Sequence, residues 1–439
     1  MYNSERENVL IERLVRRQEK ANESILKEIG KVLGEIGQLT PSEAYTIGQQ
    51  LKYGESLQKI VRILSETSRL TEVEIYEMLR GEARYNLDFS KKYFKAREID
   101  FIPYNSNLPL QNLVEEVSLA TIGNYRNISN TLGLTFLDSN NNKVTKSITQ
   151  AYNEIVDNAI LNVSTGKQSF QQELERQLKT IGKNGVQSIE YESGRHRRID
   201  SALRMNLQDG LSQLAIAQQE IVGGQFGYNM VEVTHHVNAA PDHIDSIDGK
   251  QFAMIDVLRQ QILNGVEKEI KLTDIVGNRV KVKGIWYDDF NTINEGLDRH
   301  VGTLNCRHTT MTGILGIDKP RYSKEELERD KENNLKGFDY ENKHYSLYEG
   351  EQLLRKIELE LRKTRETQIM AKSSNSKELL NQMKERENIL INKYYDILKT
   401  SGLKSKIERA RIFKRWLFFL LIYDIIIYED SPNLSSIIY

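Results

Sequence analysis

The sequence predicts an α+β protein that is mostly helical, with N- and C-terminal helical arms around a small mixed α/β central domain. Three observations carry that prediction. Only six prolines occur, at positions 41, 103, 109, 241, 320 and 432, and the long runs between them are rich in Glu, Lys, Leu and Gln, which lose little freedom in a helix. Apolar residues keep helical spacing over most of the chain. In the middle the pattern changes to short alternating, β-branched stretches at 230–234 (MVEVT) and 279–286 (RVKVKGIW). At 439 residues the chain is long for one core, so several units are expected. The composition shifts divide it into a helical arm (1–100), a helical connector (101–184), an α+β domain (185–320), a helical C-terminal region (321–415) and an apolar tail (416–439).

In the first arm, apolar positions recur at helical spacing from Val9 through Leu33. Thr40-Pro41-Ser42-Glu43 is a capping box with proline at the first helical position, and Thr71 with Glu74 forms a second, so three helices are expected. Leu51, Leu57, Ile60, Val61 and Leu64 form the apolar stripe of the middle one. Pro103 and Pro109 read as a joint before a helix near 110–123, and Asp138-Ser139-Asn140-Asn141-Asn142 as a loop. Helix is expected from Ser147 to about Gly166, from the Ser169/Gln172 box to Gly182, and from Ile199 to Val222, ended by Gly223, Gly224 and Gly227. A final helical region starts at 322–327 (YSKEEL) and extends to about Arg415, turning basic at Lys404, Lys406, Arg409, Arg411, Lys414 and Arg415.

The bulk numbers exclude several classes. A chain 39% hydrophobic and 28% charged is a globular protein, and a net charge of −1 sets up no global basic field for nucleic acid. A single cysteine excludes an internal disulfide framework and fits a reducing compartment. The charged N-terminus is not expected to be a secretory signal. The run WLFFLLIYDIIIY after Arg415 falls short of the ~20 residues that a spanning helix needs, so no membrane partner is expected. It reads as a docking segment or as the product of a shifted reading frame. The chain has no GxxxxGKS loop, nucleophile elbow, HExxH or CxxC, and no internal repeat.

The chemistry concentrates in residues 234–308. Five of the seven histidines, His235, His236, His243, His300 and His308, lie there together with the lone cysteine, Cys306. His236, His243, Cys306 and His308 form a candidate metal set, with zinc the metal that thiolate and neutral imidazole favour, and Asp242 or Asp245 as the base if the site is catalytic. Of the pair at the head of the stretch, His236 is expected to face this set and His235 the apolar side, because neighbouring strand residues alternate. Pro241 is expected to fix the loop into His243, and Gly249 and Gly302 to make the turns that bring Cys306 back. The alternatives are that the histidines bond loop backbones and hold an irregular region together, or that Cys306 is a nucleophile activated by Arg307 and His308. Arg195, Arg197 and Arg198, in the basic run 191–198 (YESGRHRR), are candidates for contact with nucleic-acid phosphates, in competition with ordinary surface ion pairs.

These stretches come in a recognisable order. YESGRHRRIDSALRMNLQDGLSQLA (191–215) leads into FGYNMVEVTHHVNAAPDH (226–243), then DGKQF (248–252), then GLDRHVGTLNCRH (296–308), followed by Gly313 and Gly316. The series resembles the phage minor capsid proteins of the second type, found in tailed phages of Firmicutes and related to the head-morphogenesis proteins linked to portals. The resemblance covers about residues 5–365. It keeps Pro241, His243, Gly249, Lys250 and Asn305 to His308, and departs at Ala240, where arginine is usual, and in lacking a tryptophan before the Gly-Lys pair. It implies a structural, non-enzymatic role in the virion, inside the head near the portal, during assembly or DNA packaging or ejection. The implied partners are the portal protein, a major capsid or scaffold protein and packaged DNA, with the host cytoplasm as the site of assembly. The competing reading is a zinc-dependent hydrolase or nucleic-acid-processing enzyme using the His/Cys set.

Overall fold

The computed structural model describes residues 4–40, 43, 47–96, 99–164, 170–188, 196–225, 227–303, 306 and 308–404. Helix accounts for 66% of the structure and the strands form only small antiparallel sheets, so the fold is the mostly helical α+β class that the sequence predicts. In chain order the helices are α1 (Ser4–Ile36), α2 (Ile47–Ala96), α3 (Leu108–Asn130), α4 (Ile148–Ser164), α5 (Phe170–Asn184), α6 (Ile199–Gln225), α7 (Pro241–Ile244), α8 (Ile255–Leu263), α9 (Phe290–Glu295), α10 (Lys324–Lys336), α11 (Leu347–Ser373) and α12 (Lys377–Ser401). Arg195, all of the basic C-terminal run beyond Lys404 and the tail 416–439 lie outside the described residues.

The first helix packs into the body along most of its length. Ile11, Leu14, Val15, Ile25, Leu26, Ile29, Leu33 and Ile36 are buried at the three- and four-residue spacing of one helix face, while Val9 is exposed. Gln18 and Asn22 interrupt that stripe, and both are buried. They mark the meeting of two cores. Ile11 to Val15 pack with residues of α2, α3 and α6, and Ile25 to Ile36 pack with α4, α5, α11 and α12. At the junction, Asn22 Nδ2 donates to Glu366 and its Oδ1 accepts from the Val186 N–H, so the polar break in the stripe is fully used.

One predicted cap disappears. α2 runs 50 residues without a break, and Thr71 Oγ1 donates to the carbonyl of Thr67 inside it, a local bond that competes with capping. Glu74 accepts instead from Arg17 of α1 at 2.7 Å. The earlier box survives in part, since Glu43 accepts from the Thr40 N–H; Pro41 and Ser42 lie outside the described residues. On α2, Ile60 is buried with Leu57 and Leu64 beside it; Val61 lies on the flank of that face and is half-exposed, and Leu51 lies off it and faces outward.

A hairpin stands where the sequence suggests only helix and loop. β1 (Leu132–Leu137) pairs antiparallel with β2 (Lys143–Ser147), and β3 (Val186–Ser188) and β4 (Arg197–Arg198) complete a sheet of order β2-β1-β3-β4. The Asn-rich run is its turn. Asp138 Oδ1 accepts from the N–H groups of Asn140 and Asn142, and Asn141 takes φ 64°, a conformation that Asn tolerates. The joint before α3 is as expected, with Asn107 Oδ1 accepting from the Leu110 N–H, but the helix continues past Gly123 to Asn130.

α5 likewise runs past Gly182 and stops at Gly185, which takes φ 63° after the last turn. The role of Gly182 is closeness: a Cβ there would lie 2.6 Å from Thr367 Cα and 2.9 Å from Thr367 N on α11. Gly182→Ala is therefore expected to cost about 1–3 kcal/mol, read as a lower denaturant midpoint at unchanged slope. Gly123→Ala, where a Cβ would meet nothing within 4 Å, should be neutral or slightly stabilising.

The central region holds two small sheets. β5 (Met230–Val233) lies between β6 (Gln251–Ala253) and β10 (Thr310–Gly313), antiparallel to both. The other sheet joins β7 (Ile275–Val276), β8 (Arg279–Val282) and β9 (Ile285–Asp288). The predicted single strand 279–286 is thus a hairpin. Lys283 and Gly284, at φ 48° and 85°, form the two-residue turn that matches strand twist. In the C-terminal region Ser323 caps α10, a further hairpin pairs β11 (Phe338–Tyr340) with β12 (Lys343–Tyr345), and a Ser346/Glu349 capping box starts α11. α12 ends at Ser401 with Gly402 left-handed, and the rest of the predicted helical region, 405–415, lies outside the described residues.

Candidate metal centre

Three of the four predicted ligands come together. β5 continues as Thr234, whose N–H bonds the Thr309 carbonyl and whose hydroxyl accepts from the Thr309 N–H, so the ladder with the β10 strand extends to the edge of the cluster. Beyond it, Pro241 opens the one-turn helix α7 and places His243 at 0% exposure. Gly249 and Gly302 take φ 69° and 76°, the turns that the sequence assigns to them, and Cys306 N donates to the carbonyl of Thr303. The outcome is a buried triangle. His243 Nδ1 and His308 Nδ1 lie 3.2 Å apart, with Cys306 Sγ 3.6 Å from the first and 3.5 Å from the second. Cys306 and His308 are 2% and 4% exposed.

The outer bonds of the two rings decide which nitrogens face inward. His243 Nε2 lies 2.7 Å from the carbonyl oxygen of Arg299, and His308 Nε2 lies 2.9 Å from Asp248 Oδ1. Both partners only accept, so both Nε2 atoms carry the proton, and in the neutral rings both Nδ1 lone pairs point into the triangle. Asp248 is the hub of this outer layer. It accepts from His235 Nδ1 at 2.6 Å and from the His236 N–H at 2.9 Å as well as from His308. Burial pushes its carboxyl up, but the bonds from His235 and His308 outweigh that and hold it at about 2. Burial likewise pushes the Cys306 thiol up, yet the two histidines beside it bring it down to about 5. His308 moves upward, burial notwithstanding, through Asp248 and Cys306.

His236 does not join the triangle. It sits against it, with its ring centre 4.9 Å from that of His308 and its Nε2 3.4 Å from Thr234 Oγ1. His235 turns away, as the alternation predicts, but to a polar setting and not an apolar one, for its ring bridges Asp248 and Asp330 of α10. Asp242 pairs with Arg299 and Asp245 with Lys331, so neither is poised as a base over the three donors. The nearby cleft of about 320 Å³ is walled by His235, His236 and Asp248 on this side and by Lys250, Lys324 and Lys331, and the triangle itself does not line it. A buried thiolate without access is poor as a nucleophile and good as a ligand. The residues that sequence reasoning missed are Asp248, Asp330 and the Arg299 carbonyl; only Asp248 carried a signal, through its place in the DGKQF stretch.

The basic run behaves differently from its sequence reading. Arg198 faces inward at 10% exposure, with Nη2 on Glu366 of α11, Nη1 donating to the Asn184 carbonyl and Nε 3.3 Å from Asp200. A guanidinium committed to two buried carboxylates is not presented to phosphate. Arg197 is half-buried, with Nη1 3.2 Å from Met205 Sδ, and Arg195 lies outside the described residues. Among the described residues no helix is long and apolar enough to cross a membrane.

The chain matches the family described as phage minor capsid protein 2 over residues 4–390. No curated protein and no solved structure matches it. The family match begins with α1 and ends inside α12, so it takes in the helical body and the His/Cys centre alike, and the chain belongs to the phage minor capsid protein 2 family, a structural component of the capsid.

Proposed function

We propose that the protein acts inside the phage head next to the portal, at low copy, and helps the head to assemble or the DNA to be packaged or ejected. The observation that carries this reading is the family match over 4–390, which supports a capsid role for the whole helical body and not for one appended segment. Its partners in this reading are the portal protein and a major capsid or scaffold protein, met in the host cytoplasm as the head forms. The burial of the triangle supports a structural use of the His/Cys centre. A hydrolase would need its donors open to a substrate, and Cys306 is 2% exposed behind His236 and Asp248. Quantitative mass spectrometry of purified virions and of DNA-free proheads tests the assignment. Peptides of this chain are expected in both, far below the major capsid protein and enriched with the portal when heads are dissociated. Virions and proheads free of it would overturn the proposal.

A further inference from the structure

We propose that His243 Nδ1, His308 Nδ1 and Cys306 Sγ hold a zinc ion that closes residues 234–308 into one unit. This inference does not depend on the capsid role. It begins with the spacing of the donors. Zinc–nitrogen bonds of ~2.05 Å and a zinc–sulfur bond of ~2.3 Å at tetrahedral angles put two nitrogens about 3.4 Å apart and sulfur about 3.6 Å from each. The triangle measures 3.2, 3.5 and 3.6 Å, the edges of one face of such a tetrahedron.

The second support is a shortage of protons. The outer bonds to the Arg299 carbonyl and Asp248 place a lone pair on each inward Nδ1, and both rings are buried. One proton among the three atoms, whether on sulfur or on a ring nitrogen, leaves at least one pair facing lone pair to lone pair in a dry site, at the cost of an unmade bond. A cation between the three atoms removes that conflict. The third support is the outer layer. Histidine ligands characteristically donate their far N–H to a carboxylate or a backbone carbonyl, which sets the ring's orientation and raises its basicity. Here one ring has each, and the carboxylate is itself fixed by His235 and the His236 backbone. Sulfur with imidazole selects zinc over magnesium or calcium, which take oxygen ligands. The ion would join α7 to the segment before β10 across 63 positions of chain, in a region whose apolar clusters are small.

Full-length protein purified without chelator is expected to carry about one zinc per chain by elemental analysis. Stripping it with a chelator should lower the melting temperature, and zinc but not magnesium should restore it. Cobalt loaded into the stripped protein should show the intense visible bands of a tetrahedral site and a thiolate charge-transfer band in the near ultraviolet. Cys306→Ser should lose that band and most of the bound metal, and His344→Ala, which removes an exposed histidine bonded to Asp339, should keep both. The cobalt spectrum is read on the unmodified chain, so the test survives a Cys306→Ser variant that fails to fold. Folded protein that takes up neither zinc nor cobalt, or a cobalt spectrum without the thiolate band, would overturn the proposal.

Discussion

Arg198→Ala is expected to destabilise the protein by about 3–5 kcal/mol, the range for removing one partner of a buried ion pair and leaving the other charge uncompensated. Arg198 lies at the junction of three elements distant in sequence. It bonds Glu366 on α11, the carbonyl of Asn184 at the end of α5, and faces Asp200 at the start of α6, while Arg362 also bonds Asp200. Gly185 makes room for it, since a Cβ there would lie 2.6 Å from Glu366 Oε2 and 3.0 Å from Arg198 Nη1. Truncation to alanine leaves Glu366 to Asn22 and Asp200 to Arg362. Denaturant unfolding should show the loss, and the double variant with Glu366→Ala should cost at least about 1 kcal/mol less than the two singles together. Arg197→Ala, a half-buried neighbour, should cost much less. Equal and small losses at 197 and 198 would mean that the buried pairing is not formed in solution.

This residue shows why part of the sequence reading failed. A run of basic residues ahead of a helix points to phosphate, because the local sequence displays the charges and hides their partners. Glu366 lies 168 positions away, and nothing near Arg198 names it among 62 acidic residues. The helices were legible where punctuation agreed with periodicity, as at Asn107 before α3. They were misread where a capping pattern sits inside a strong helical stripe, since Thr71 bonds its own helix and α2 continues. The strands were legible only where β-branched residues alternate, as at 230–234. The β1–β2 hairpin and the one at 338–345 carry few such residues, and Lys283-Gly284 is an unusual spelling of a two-residue turn.

The candidate centre was legible to the same depth. Rarity identified it, because histidines and the lone cysteine crowd one stretch, and glycines at 249 and 302 marked the turns that close it. The alternation rule put His236 toward His308, but its ring stays outside the donor triangle, and the side of His235 is polar because α10 brings Asp330 to it. Carboxylates are too common for sequence alone to single out Asp248 as the group that orients two histidines.

The same ion network gives the second large effect, a dependence of stability on pH carried by Glu19. Three guanidinium groups, Arg198, Arg204 and Arg362, meet three bonded or ion-paired carboxylates, Glu366, Glu12 and Asp200. Glu19 on α1 is the surplus acid. Burial raises its carboxyl first, the neighbouring Asp200 adds to that, and Arg362 and Arg204 only partly offset them, so it rises from its ordinary 4.5 to about 7. The sign follows from linkage. Below pH 4.5 Glu19 is protonated in both folded and unfolded chains and folding pays no penalty. Between 4.5 and 7 the unfolded chain has already released the proton that the folded one retains, so stability falls as pH rises. Above 7 the whole loss is present. A shift of this size corresponds to about 3 kcal/mol at most. Glu19→Gln keeps the shape and removes the charge, so it should match the unmodified protein near pH 4.5 and exceed it by up to about 3 kcal/mol at pH 8. Denaturant midpoints of both proteins measured in parallel at pH 5, 6, 7 and 8 will show whether the gap opens across that window; a gap that stays constant with pH would mean that Glu19 is ionised in the fold throughout.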